Sequence, residues 1–151
     1  MSEAQTIHGG CVLVGEAGLL IRGASGSGKS TLAREVVSLA LRGGRFGRLV
    51  SDDRTRLEAR HGRLLARPVE PLGGSIEVYG LGIVRQSFEP AAVIRLVVDL
   101  TDGPARYPDE EDRHVVLCGV MVPRIRMQAG AISADVVLAC LSGLCVTVVT
   151  L

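Results

Sequence analysis

Short apolar runs divided by glycine and polar breaks make up most of this chain, and in two places the spacing lengthens to that of a helix. Cys11 to Val14 and Gly18 to Arg22, separated by Gly15-Glu16-Ala17, predict a pair of strands. Leu32, Val36 and Leu39 then recur at helical spacing with Ala33 and Ala40 beside them. They predict a helix from Thr31 to Arg42 that stops at Gly43-Gly44, where a left-handed cap is easy. Phe46 to Val50 predicts a strand that ends in Ser51-Asp52-Asp53. Leu57 to Arg67 fits short strands or turns. Ile76 to Tyr79 fits a further short strand before the turn Gly80-Leu81-Gly82. Ala91 to Leu100, interrupted only by Arg95 and Asp99, has the pattern of a well-covered strand. Thr101 to Arg113 carries Gly103, Pro104, Pro108 and the run Asp109-Glu110-Glu111-Asp112, which predicts an exposed loop. Val115 to Val122 is a strand candidate, and Ala131 to Leu141 a final helix.

At 151 residues the chain, 1–151, is expected to form a single domain, and its 47% apolar content places it among compact globular proteins. Seventeen basic residues against 16 acidic ones give no general basic face, so nucleic acid is not an expected partner. The N-terminus lacks a basic flank, and Glu3, His8, Gly9, Gly10 and Glu16 break its apolar pattern, so no signal peptide is expected. Val136 to Leu151 is the most membrane-like stretch, yet it is short and contains Ser142 and Gly143, so a buried terminal helix or strand is expected and no membrane. Cys11, Cys118, Cys140 and Cys145 form no C-x-x-C pair; buried free thiols in a cytoplasmic protein are the expectation.

The chemistry concentrates in Gly23-Ala24-Ser25-Gly26-Ser27-Gly28-Lys29-Ser30, which has the G-x-x-x-x-G-K-[ST] spacing and lies between a predicted strand and a predicted helix. Glycines let successive N–H groups converge on phosphate, and the helix that follows adds its positive end. The expected ligands are ATP and Mg2+, with Lys29 on the outer phosphates and Ser30 on the metal, while Thr31 continues into the helix. Asp52 and Asp53 are the acidic candidates, one for Mg2+ and one to accept the proton of an attacking hydroxyl; a plain capped turn is the alternative. His8 is a second possible proton handler, against an ordinary surface histidine. Glu77 is a candidate to assist the metal, against an outward-facing strand carboxylate.

Thr6-Ile7-His8-Gly9, the loop from Gly23 to Ser30, Leu49-Val50-Ser51-Asp52-Asp53 and Ile76-Glu77-Val78-Tyr79-Gly80-Leu81-Gly82-Ile83 together resemble the C-terminal catalytic domain of the HPr kinase/phosphorylase family, in the short form without the N-terminal domain. The resemblance implies an α/β P-loop kinase domain with a central, mostly β sheet and packed helices. It also implies Mg-ATP-dependent phosphorylation of a serine of the phosphocarrier HPr, reversal by phosphorolysis, and a homo-oligomer, usually a hexamer. Within it, His8, Lys29, Asp52 and Asp53 would be catalytic, and Ser30, Asp52, Asp53 and Glu77 would serve the metal. Tyr79 and Arg85 stand where the family signature carries arginine and aspartate. Two other readings are a small-molecule kinase and a non-catalytic ATP-responsive module.

Overall fold

The computed structural model describes residues 4–69, 75–78, 80–85, 88–102, 110–130 and 133–143. β1 (Gln5–Val14) and β2 (Ala17–Gly23) form an antiparallel pair, and α1 (Lys29–Arg42) follows the glycine-rich loop. β3 (Gly47–Ser51) pairs with the second half of β1, whereas β4 (Arg54–Arg60) pairs with its first half. β5 (Arg63–Pro68) returns antiparallel to β4, and its Leu65 and Ala66 reach the first residues of β8 (Ala92–Thr101). β8 also runs parallel to β2 on one side and to β10 (Val120–Gln128) on the other. β9 (His114–Leu117) closes the edge against β10, preceded by a 3-10 turn at Glu110–Arg113. β6 (Ser75–Val78) and β7 (Gly82–Arg85) make a separate two-stranded ribbon, and α2 (Ala134–Leu141) is the last described helix.

β1 and β8 therefore each pass from one layer of sheet into another, and the eight strands wrap around two apolar cores. β2 shows why its sequence is continuously apolar rather than alternating. Leu19 and Ile21 pack under the helices with Leu32, Val36 and Val137, while Leu20 faces the β4–β5 layer with Leu57 and Leu64. All three β2 side chains are fully buried, and burying each contributes about 1.5–3 kcal/mol. On α1 the buried set is Leu32, Ala33, Val36, Val37 and Ala40, one stripe of the predicted helix.

Three predictions are revised. Val115 to Val122 is not one strand but the hairpin β9–β10, turned at Cys118 and Gly119, both at positive φ (50° and 78°). Two consecutive left-handed residues match the right-handed twist of the flanking strands, and a cysteine in such a turn gives little sequence signal. His61 and Gly62 (φ 51° and 73°) turn the β4–β5 hairpin in the same way, which settles the Leu57 to Arg67 segment as two strands. The expected exposed loop is ordered as a 3-10 turn over Glu110–Arg113, while 103–109 lie outside the described residues. Cys11 and Cys118 are free thiols, but Cys140 is disulfide-bonded, which corrects the expectation for that residue; Cys145 lies outside the described residues. Among the described residues no helix is long and apolar enough to cross a membrane.

The topology makes one edge special. β2 and β3 both run antiparallel to β1, and β8 and β10 run parallel to β2, so the carboxyl ends of β2, β3, β8 and β10 open at the same edge of the sheet. In open α/β folds that edge is where ligands bind.

Candidate active site

At this edge β2 ends in Gly23 and the chain turns through 24–28 into α1. Gly26 and Gly28 sit at φ 81° and 99°, a region where a side chain would strain the backbone, so the glycines are required by the turn itself. The loop is closed by Ser27 N–H donating to the Ala24 carbonyl at 3.0 Å. Gly23 is held close to its own loop: a Cβ there would come within 2.6 Å of Ser27 Oγ and 3.0 Å of the Leu100 side chain.

Gly28 occupies the N-cap of α1 without a side-chain cap, and the first turn holds no acidic residue. The helix therefore leaves its first N–H donors and its positive end to whatever anion lies on the loop. Ser27 Oγ is buried without a hydrogen-bond partner, a polar atom that a bound phosphate oxygen would satisfy. Lys29 Nζ donates to the carbonyls of Gly23 at 2.8 Å and Ala24 at 3.0 Å, so the charged amine lies folded across the loop. These features fit a polyphosphate.

The acidic partner comes from the β3–β4 turn. Ser30 Oγ donates to Asp52 Oδ1 at 3.0 Å, although the residues are 22 positions apart. Asp53 adopts φ 67°, which bends the strand end sharply and frees the two neighbouring carboxylates from the opposite-face rule of a strand. Its carbonyl accepts from Gly9 N–H at 2.9 Å, which ties the turn to β1 beside His8, an exposed residue in register with Arg54. Behind the turn, Thr55 Oγ1 donates to the Gly9 carbonyl at 2.7 Å and lies 2.6 Å from Ser51 Oγ. A threonine hydroxyl has one hydrogen, so Ser51 is the donor in the second contact.

Lys29, Ser30, Asp52, Asp53 and His8 thus come to one edge of the sheet, and the loop residues Gly23 to Thr31 with them. Glu77 is not brought there by any described contact; it lies in the separate ribbon, and its side chain is outside the described residues, as is Tyr79. Among the described residues, no group of three or more His, Cys, Asp and Glu side chains gathers around a metal position. Magnesium commonly takes only one or two carboxylates and completes its shell with phosphate oxygens and water, so Ser30 and Asp52 are the donor set that fits it. On the other flank of the loop a cavity of about 480 Å³ is bordered by Gly26, Ser27, Gly28, Thr31, Glu35 and Gly130.

Two groups were not singled out from sequence. The buried Ser51–Thr55 pair carries no sequence signal beyond two hydroxyls four positions apart. Arg22 and Asp99 broke two apolar runs at their ends, which is the signal that could have paired them. Arg22 Nε and Nη2 reach Asp99 Oδ1 and Oδ2 at 2.7 Å each, and Arg124 Nη1 approaches Oδ2 at 3.4 Å.

Comparison with known proteins places these features in context. Residues 1–138 match the family model described as HPr Serine kinase C-terminal domain. The HPr kinase/phosphorylase of Streptococcus thermophilus is 33% identical over 139 residues, covering 84% of this chain and 43% of that protein. That of Azoarcus sp. is 34% identical over 145 residues, covering 87% of this chain and 44% of that protein. The chain thus spans less than half the length of these curated relatives. The solved Hpr(Ser) kinase/phosphatase from Coxiella burnetii shares the fold, with a TM-score of 0.72 at 22% identity, over 93% of this chain and 97% of that one.

Proposed function

The chain belongs to the HPr serine kinase C-terminal domain family, and on that premise we propose that it transfers the terminal phosphoryl group of Mg-ATP to a serine of HPr in the cytoplasm, acting as a homo-oligomer. The observation that carries this reading is the contact between Ser30 and Asp52, which joins the mouth of the glycine-rich loop to an acidic turn. A phosphate-binding loop alone would serve many purposes; a carboxylate pair beside it supplies the rest of a phosphotransfer site.

In this reading the loop is a phosphate loop. The amides of 26–28 and the open start of α1 bind the phosphates, and Ser27 Oγ gains a partner. Lys29 exchanges the carbonyls of Gly23 and Ala24 for phosphate oxygens. Ser30 and Asp52 would hold Mg2+, which would supply neutralisation of phosphate charge. Asp53, tied through its carbonyl to Gly9 beside His8, is left to accept the proton of the serine hydroxyl as its oxygen attacks phosphorus. In phosphorolysis the same carboxylic acid returns that proton to the departing serine oxygen while inorganic phosphate attacks, giving serine and pyrophosphate. The cavity beside Thr31 and Glu35 accommodates the nucleoside end.

The direct test incubates the chain with Mg2+, labelled ATP and the HPr of its own source. Label on a serine of HPr is the expected result. HPr that stays unmodified at both low and high phosphate would overturn the kinase assignment. Pyrophosphate released from phosphoserine-HPr and inorganic phosphate reads the reverse direction.

A further inference from the structure

We infer that Asp99 is a positioning residue for the glycine-rich loop, acting through Arg22; its consequence for nucleotide affinity rests on the reading given under Proposed function. Arg22 immediately precedes Gly23, and in the parallel register of β2 and β8 Arg22 lies opposite Asp99 and Gly23 opposite Leu100. The paired contacts at 2.7 Å form a two-pronged guanidinium–carboxylate pair, which fixes orientation as well as distance. The side chains are only 25% and 16% exposed, so water competes weakly for them. A second arginine, Arg124 of β10, reaches the same carboxylate, and its Nε donates to the Asp112 carbonyl at 2.9 Å. One carboxylate thereby joins three adjacent parallel strands, β2 and β8 next to their carboxyl ends and β10 at mid-length.

The lever to the loop is short. With Arg22 clamped, the next residue has no free play. Gly23 is wedged between Ser27 and Leu100 so tightly that a methyl group would not fit, and its carbonyl is the 2.8 Å acceptor of Lys29 Nζ. A shift of β2 against β8 by a few tenths of an ångström is therefore passed to Ser27 and Lys29 rather than absorbed. Both side chains of the pair lie on the sheet face away from α1, because Ile21 and Leu100 face the helices and Arg22 and Asp99 alternate with them. The clamp sets the loop from behind and does not touch the phosphates.

The test compares Asp99→Asn and Arg22→Lys with Leu64→Ala, a core change in the β4–β5 layer that lowers stability without touching the loop. Lysine keeps the charge of Arg22 but loses the two-pronged contact, so it probes geometry without leaving Asp99 opposite a neutral group. In the nucleotide-free protein, amide exchange at Ser27 and Leu32, whose N–H groups close the loop and the first helical turn, should quicken roughly tenfold in both clamp variants and stay unchanged in Leu64→Ala relative to mid-helix amides. Affinity for a fluorescent ATP analogue should fall in the two clamp variants, and the double variant should lose no more than about twofold beyond either single one. Unchanged loop exchange in both clamp variants, or equal quickening in Leu64→Ala, overturns the inference. If the parent chain binds no nucleotide, that result counts against the proposed function alone, and the exchange data still decide the role of Asp99.

Discussion

Replacing Thr55 by valine should expose how much of the acidic turn depends on one buried hydroxyl. The side chains have nearly the same shape, so no cavity opens and the change is confined to hydrogen bonding. Thr55 is fully buried and Ser51 is 2% exposed, so water does not replace what is lost. Two bonds go: Thr55 Oγ1 to the Gly9 carbonyl at 2.7 Å, and Ser51 Oγ to Thr55 Oγ1 at 2.6 Å. Leaving one buried polar group without a partner costs about 1–3 kcal/mol. The Gly9 carbonyl retains a second lone pair and the Ser51 hydroxyl can rotate, so the combined loss stays at the low end of the sum for two groups, about 2–3 kcal/mol. With a urea dependence of about 1–3 kcal/mol per molar for a chain of this size, the unfolding midpoint should drop by about 1 M. Thr55→Ser keeps the hydroxyl and should recover most of the loss. Phosphotransfer by Thr55→Val should fall as well, measured well below its midpoint, since the network ties the Asp52–Asp53 turn to β1. A midpoint within 0.2 M or so of the parent, or a serine variant no better than valine, would refute the claim that these hydroxyls anchor the turn.

Lys29→Ala should remove ATP-dependent labelling by about two orders of magnitude or more while the fold persists, because among the described residues the amine hydrogen-bonds the loop carbonyls of Gly23 and Ala24 rather than the core; the unfolding midpoint and the label are measured side by side. Gly23→Ala places a methyl 2.6 Å from Ser27 Oγ and 3.0 Å from the Leu100 side chain, an overpacking expected to cost about 1–3 kcal/mol and to weaken nucleotide binding, read by calorimetry. Cys11 is completely buried, and burial pushes its thiol far above the ordinary value, while Cys118 is shifted the same way with much less cover. Iodoacetamide on the native protein should therefore label Cys118 first and reach Cys11 only on unfolding, as mass spectrometry of timed samples would show.

The site was legible where chemistry is local in sequence. Lys29 and Ser30 follow from the loop spacing alone, since glycine positions, strand and helix are all set within a few residues. The acidic turn was legible as a candidate because a predicted strand ended in two aspartates. Its link to Ser30 was not, because the 21 residues between them include most of α1 and all of β3. Hairpins were harder: His61-Gly62 and Cys118-Gly119 turn the chain with residues that carry little turn signal outside glycine, so β9 and β10 merged into one run.

By itself the sequence determined the short-range geometry: which apolar runs extend, where a helix begins, and which eight residues can wrap an anion. Only the tertiary structure decided that β1 lies between β2 and β3, so that Asp52 meets Ser30, and that Arg22 meets Asp99 across 77 positions. The reason is physical. Backbone propensity acts over a few residues, whereas strand order and register are chosen by how both faces of β2 bury Leu19, Leu20 and Ile21 at once, a constraint that exists only when the distant strands are present to cover them.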